Sequence, residues 1–157
     1  MIKISKLTDY AAMLAVTLAS HTANSQSASE LSMHTNIAHP TVSKLLKLLN
    51  DAGLVNSVRG VQGGYSLARA IDQITLADLI DAIEGGTQLT ECSMEQCDCT
   101  YLANCGLKHN WSVVSSSIDA LLRSVTLEDM TGSLSVPGVV RRLSQTLSQH
   151  ERVEEKV

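Results

Sequence analysis

Four cysteines, at 92, 97, 99 and 105, stand within fourteen residues of a 157-residue chain, in the segment "TECSMEQCDCTYLANCGLKHNW" (residues 90–111). Thiols confined to one short, acidic, turn-rich stretch could form disulfides, close a zinc site or hold an iron–sulphur cluster. Structural zinc sites usually pair Cys-x2–4-Cys knuckles that are well separated in sequence. Here the gaps are four, one and five residues. Cys97 and Cys99 are too close to serve one tetrahedron with a relaxed backbone. Setting Cys97 aside leaves Cys92-x6-Cys99-x5-Cys105, with His109 just beyond. Thiolate-rich ligation on an open loop suits an iron–sulphur cluster. On spacing alone, zinc and a thiol switch stay open beside it.

A second chemistry lies upstream, in "PTVSKLLKLLNDAG" (residues 40–53). At about 100° per residue, Val42, Leu45, Leu46 and Leu49 share one face of a helix, and Pro40, Ser43, Lys44 and Lys47 share the other. Cations and small hydroxyls on an exposed helix face suit the major groove of DNA, which is about 12 Å wide and admits one helix. "LVNSVRGVQGGYSLA" follows, two short β-prone pieces around Gly60, Gly63 and Gly64. This reads as a hairpin with a flexible tip and Arg59 at its entrance. A cation beside Gly60 can approach phosphates or enter the minor groove. The bland alternative is an amphipathic helix with solvated lysines.

The elements that would position these groups are legible from periodicity and caps. Leu7, Tyr10, Ala11, Leu14 and Leu18 predict a first helix over residues 7–20. A short helix over 28–35 follows, with Ser27 or Ser29 as cap and Glu30 in its first turn. "NIAHP" breaks it, and Pro40 suits the first turn of the next helix, which Gly53 closes. "QITLADLIDAIEGG" predicts a helix capped by Thr75 and ended by Gly85. After the cysteines, Trp111, Val114, Ile118, Leu121 and Val125 are spaced as a heptad seam, a candidate for pairing with a second copy. "TLEDM" suggests a further turn. Residues 133–138 read as a linker, and 139–157 as a marginal helix or disordered tail.

Composition agrees with this division. The apolar fraction is 44% but aromatics are only 3%, so the core must be built from Leu, Ile, Val and Ala, which favours helices. Residues 1–70 hold six Lys/Arg against three acids, whereas residues 71–157 hold six against thirteen. A basic half joined to an acidic half predicts an anionic partner for the first half only. The basic start and "AAMLAVTLAS" resemble a signal peptide. Asp9 and Tyr10 interrupt its entry, and no apolar run approaches the ~20 residues that span a bilayer. The chain therefore reads as cytoplasmic, where clustered cysteines are metal ligands or redox groups more often than disulfides. His21, His34 and His39 read as exposed loop or cap residues, and Glu84, Glu91, Glu95 and Asp98 as a solvated acidic rim. No Gly-rich phosphate loop or nucleophile–base pair supports an enzyme.

"SKLTDYAAMLAV", "HPTVSKLLKLLNDAGLVNSVRGVQGGYSLAR" and "ITLADLIDAIEG", followed by the cysteine loop, resemble the IscR/NsrR-type iron–sulphur winged-helix repressors. The resemblance covers residues 2–131. It is strongest to the regulators of the SUF cluster-assembly system, where "LTDY", "PTVSKLLK", "LTECS" and "VTLEDM" recur. It implies a homodimer that binds a double-stranded operator and carries one 2Fe–2S or 4Fe–4S cluster per subunit. It places the cluster thiolates on Cys92, Cys99 and Cys105, and DNA reading on Thr41, Ser43 and Lys44, with Arg59 in the wing. Cys97 is an extra thiol. Some members use a histidine two residues past the third cysteine, whereas His109 stands with three between. Others use an aspartate of the partner's first helix, a position matched by Asp9.

The reading is a mainly helical fold with one β-hairpin. A winged helix-turn-helix domain occupies residues 1–86, a cluster loop 87–109, a dimerisation helix with its following turn 110–132, and a flexible tail 133–157. The DNA-binding residues are Thr41, Ser43, Lys44, Lys47, Arg59 and Gly60. The cluster residues are Cys92, Cys99 and Cys105, with Asp9 or His109 as fourth ligand. The function is repression of cluster-assembly genes in response to cluster status or to oxidative or nitrosative stress. The second reading, from another class, is a zinc- or thiol-based trafficking or redox-switch module.

Overall fold

The computed structural model describes residues 3–21, 25–58, 60, 63–87, 89–90 and 106–154. In order these form α1 (Lys6–Ala19), α2 (Ala28–Thr35), α3 (His39–Asp51), β1 (Val55–Val58), β2 (Gly64–Leu67), a 3-10 turn (Ile71–Gln73), α4 (Leu76–Glu84), α5 (Lys108–Arg123), α6 (Leu127–Thr131) and α7 (Val136–Glu154). The fold is mainly helical with one two-stranded antiparallel sheet.

Local chemistry sets the ends of most elements. Ser27 caps α2 in a reciprocal box with Glu30, and Asn36 ends it in the left-handed conformation that asparagine tolerates. Pro40 sits in the first turn of α3, where its missing N–H costs nothing. At the other end Gly53 (φ 69°) donates to Asn50 O at 3.0 Å and Leu54 donates to Leu49 O at 2.9 Å, which together satisfy the last carbonyls. Thr75 with Asp78, and Thr126 with Asp129, form two more capping boxes.

The core is aliphatic, as the composition requires. Leu14, Leu18, Leu31, Val42, Leu45, Leu46, Leu49, Leu54, Ile74, Leu79 and Leu127 are buried together. α1 runs through this core, burying Ala11, Leu14, Ala15 and Leu18. The start of α4 and the start of α6 are stitched edge to edge: Leu76 N donates to Val125 O at 2.9 Å and Leu127 N to Ile74 O at 2.8 Å.

Of the two forms expected for the C-terminal residues the helix is the one observed, and it begins inside the stretch read as a linker: residues 136–154 form α7. Ser135 Oγ accepts from Gly138 N at 3.3 Å, and Pro137 occupies the first turn, so a Pro-Gly pair that reads as a breaker instead opens a helix. The heptad seam is also divided. Val125 is buried in the chain's own core, Ile118 and Leu121 are half-buried, and only Trp111 and Val114 stand exposed.

Candidate nucleic-acid interface and sensor segment

α2, the three-residue turn Asn36–Ala38 and α3 make the helix-turn-helix. Ser32 Oγ donates to Ile37 O at 2.6 Å and fixes the turn. α3 buries Val42, Leu45, Leu46 and Leu49, so its opposite face is held outward. That face carries exposed His39, Pro40, Lys44 and Lys47, with half-exposed Thr41 and Ser43 between them. Neither lysine forms an ion pair among the described residues, which leaves both ammoniums available to phosphates.

The wing is built by glycines for identifiable reasons. β1 and β2 pair Val55 with Leu67 through Val58 with Gly64. Gly63 N donates to Gly60 O at 2.9 Å and closes the tip. A Cβ on Gly63 would stand 2.3 Å from Val58 O, and Gly60 has φ 131°, which side chains rarely adopt. The wing is also tied back to the helices. Gln26 N donates to Tyr65 O at 2.9 Å and Tyr65 N to Gln26 O at 2.7 Å, adding a short third rung beside β2. A Cβ on Gly64 would stand 2.7 Å from the Gln26 backbone, so only glycine permits this approach. Arg59 lies outside the described residues; Gly60 is exposed on the tip beside it. Thr41, Ser43, Lys44 and Lys47 are thus brought onto one surface.

His21 and His34 are exposed, as expected, and stack on each other with ring centroids 5.1 Å apart. His34 Nδ1 lies 3.2 Å from Gln26 Oε1, so this pair helps hold the connection that supports the wing.

The segment that carries the cysteines follows α4. Gly85 (φ 82°) and Gly86 (φ 123°) turn the chain past the end of α4, and Leu89 N donates to Ser115 Oγ of α5 at 3.4 Å. Cys92, Cys97, Cys99 and Cys105 lie outside the described residues. Of the two candidates for a fourth ligand, Asp9 is exposed in the first turn of α1 and His109 is exposed in the first turn of α5. Neither side chain makes a hydrogen bond or ion pair among the described residues.

Glu84, in the last turn of α4, is more than a solvated carboxylate. It accepts from Ser5 N at 3.0 Å and from the Thr8 hydroxyl. These two donors, Thr8 foremost, hold its pKa below the usual carboxylate range. Glu84 therefore fastens the start of α1, one residue from Asp9, to the helix that leads into the cysteines. Sequence reading missed it because the partners are 76 and 79 residues away. α5 is anchored to α4 by Arg123, which bonds Asp81 at 2.9 Å and Asp119 at 2.7 Å, and Thr87 donates to Asp119 at 3.0 Å. Among the described residues no helix is long and apolar enough to cross a membrane.

A cationic helix held outward by its own apolar face, beside a glycine-built wing, defines a winged helix-turn-helix transcription regulator. Residues 4–133 match the Rrf2 family, described as iron-dependent transcriptional regulators, and the chain belongs to that family. It is similar to the HTH-type transcriptional regulator IscR of Photobacterium profundum, 30% identical over 119 residues, which is 76% of this chain and 69% of that one. Among solved structures it resembles CymR, the global cysteine regulator of B. subtilis, with TM-score 0.62 and 29% identity over 83% of this chain and 96% of that one. It also resembles T. potens IscR, with TM-score 0.59 and 33% identity over 83% of this chain and 86% of that one. Family membership makes the chain a DNA-binding regulator of transcription rather than an enzyme.

Proposed function

We propose that this chain is a homodimeric repressor whose cysteine segment holds an iron–sulphur cluster and whose operator affinity follows the state of that cluster. The observation that carries the reading is the placement of three well-spaced cysteines in the one segment joining α4 to α5, within a family described as iron-dependent. The donor set fits. Cys92, Cys99 and Cys105 supply three soft thiolates, and an exposed Asp9 from the partner subunit, or His109, supplies a weaker fourth ligand. When bound, the cluster supplies a group that oxidants, nitric oxide or apo-proteins can alter. The residues of the chain do the rest. The thiolates hold the group, Asp9 stands on the helix that enters the DNA-binding core, and α3 with the wing contacts the operator. Genes for cluster assembly are the proposed targets, by similarity to IscR.

The second reading keeps the winged helix and replaces the cluster by zinc or a thiol switch. Similarity to a protein named a cysteine regulator favours it. Anaerobic purification decides between them. Brown protein with iron and acid-labile sulphide is expected, lost in Cys92→Ala, Cys99→Ala and Cys105→Ala and kept in Cys97→Ala. Colourless protein containing zinc, or no metal, would refute the cluster.

A further inference from the structure

α3 and the wing can meet one duplex together only if the hairpin stands at a set angle to the helix. At its base the hairpin is held by the core: Val55 is buried, and Ala68 N donates to Leu54 O at 3.0 Å. Above the base β1 has no cover, for Asn56, Ser57 and Val58 are exposed. From Leu67 to Gly63 the chain rises about 13 Å as an extended strand. Midway along that rise stands Tyr65, tied in both directions to the backbone of Gln26.

Gln26 is itself held from a second side. It is buried, and its amide oxygen Oε1 lies 3.2 Å from Nδ1 of His34, in the last turn of α2. An amide oxygen only accepts, so Nδ1 carries the hydrogen in this bond. The His34 ring lies flat against the His21 ring, with planes 8° apart. Nδ1 of His21 lies 2.9 Å from Thr17 O, a carbonyl of α1. One line of contacts thus runs from α1 through His21, His34 and Gln26 to the middle of β2.

His34 is the one donor to the Gln26 oxygen among the described residues. Without the ring, that oxygen is left in the interior with no partner, a costly state that a side chain escapes by turning away. The backbone of the same residue holds Tyr65, so the rung loosens with it.

We propose that His34 and Gln26 are positioning residues for the wing, acting through Tyr65 to hold β2 at the angle from which Arg59 reaches DNA. The inference rests on the reading of α3 and the wing as the DNA surface. His34 is exposed on the first helix of the motif, so a direct phosphate contact is the competing account. Gln26 is buried and open to no such contact, which makes it the decisive residue.

A duplex selected by the wild-type chain from a random-sequence pool serves as operator, and its scrambled version as competitor. Competition binding of the full chain at one salt concentration gives the preference between them. Gln26→Ala and His34→Ala should each lower it about fivefold or more, the lower end of what one base contact is worth. His34→Asn places an amide N–H where the ring Nδ1–H stands, and should restore most of what His34→Ala loses. Adding His34→Ala to Arg59→Ala should cause no further loss. Adding it to Ser43→Ala should multiply the two losses, because α3 is held by its own buried face. Thermal unfolding shows that each variant is folded at the assay temperature. Wild-type preference in both Gln26→Ala and His34→Ala, alongside a loss in Arg59→Ala, would overturn the proposal and keep the wing on the DNA. Losses from His34→Ala and Arg59→Ala that multiply would also overturn it, and make His34 a direct contact. An Arg59→Ala protein with full preference would take the wing off the DNA, and the proposal with it.

Discussion

Lys44 and Lys47 occupy the same exposed face of α3 as Ser43, and the DNA contacts proposed for the three side chains differ in kind. An ammonium on a flexible stem meets phosphate as a point charge, whereas a short hydroxyl close to the helix axis must meet a base edge to matter. Lys47→Ala is therefore expected to weaken binding to operator and random DNA alike, and to lower the salt slope by about one. Ser43→Ala and Arg59→Ala should instead reduce the preference for operator over random DNA by roughly 1–3 kcal/mol. Competition binding at matched salt measures both quantities. Wild-type affinity and preference in all three variants would move the DNA surface elsewhere. The polar face of α3 was legible in the sequence because a 3.6-residue period separates Val42, Leu45, Leu46 and Leu49 from the lysines. Gly64 was legible only as a turn residue. Its actual constraint, backbone approach to Gln26, joins residues 38 apart and leaves no local pattern.

The start of α4 was readable to the residue and that of α2 to a choice between Ser27 and Ser29, because each carries its own capping box, a contact between positions three apart. α7 was not, because Pro137 and Gly138 signal a break wherever they stand outside a first turn. Glu84 shows the same limit. Its charge was visible and its donors were not. The element it joins, α1 to α4, can be tested by titration. Glu84→Gln keeps an acceptor but removes the charge. The lowered carboxyl contributes stability above its ordinary pKa, and this is lost as pH falls from about 4.5 through the folded value. Denaturant unfolding followed downward from pH 6 should therefore lose this component in the wild type and lack it in Glu84→Gln. The cost of the substitution at pH 7 is about 1 kcal/mol, because Glu84 is exposed and screened. Parallel pH profiles for the two proteins would show that the carboxylate carries no weight at this junction.

At the scale of the whole molecule, the basic half and the acidic half are joined through α4. That helix lends Ile80 and Leu79 to the domain, Glu84 to the start of α1 and Asp81 to α5, and it delivers the chain into the cysteine segment. On the proposed function, a change in that segment is passed to α1 through the bonds of Glu84 to Ser5 and Thr8. Coupling between two sites is a difference in affinity, and it is reciprocal. The most direct measurement is the operator dissociation constant of one preparation before and after anaerobic removal of its cluster, at a single salt concentration. The account predicts at least a tenfold difference between the two forms, abolished in a Cys92→Ala protein, which should bind with the cluster-free constant in both treatments. Equal constants for the cluster-loaded and cluster-free wild type would contradict it.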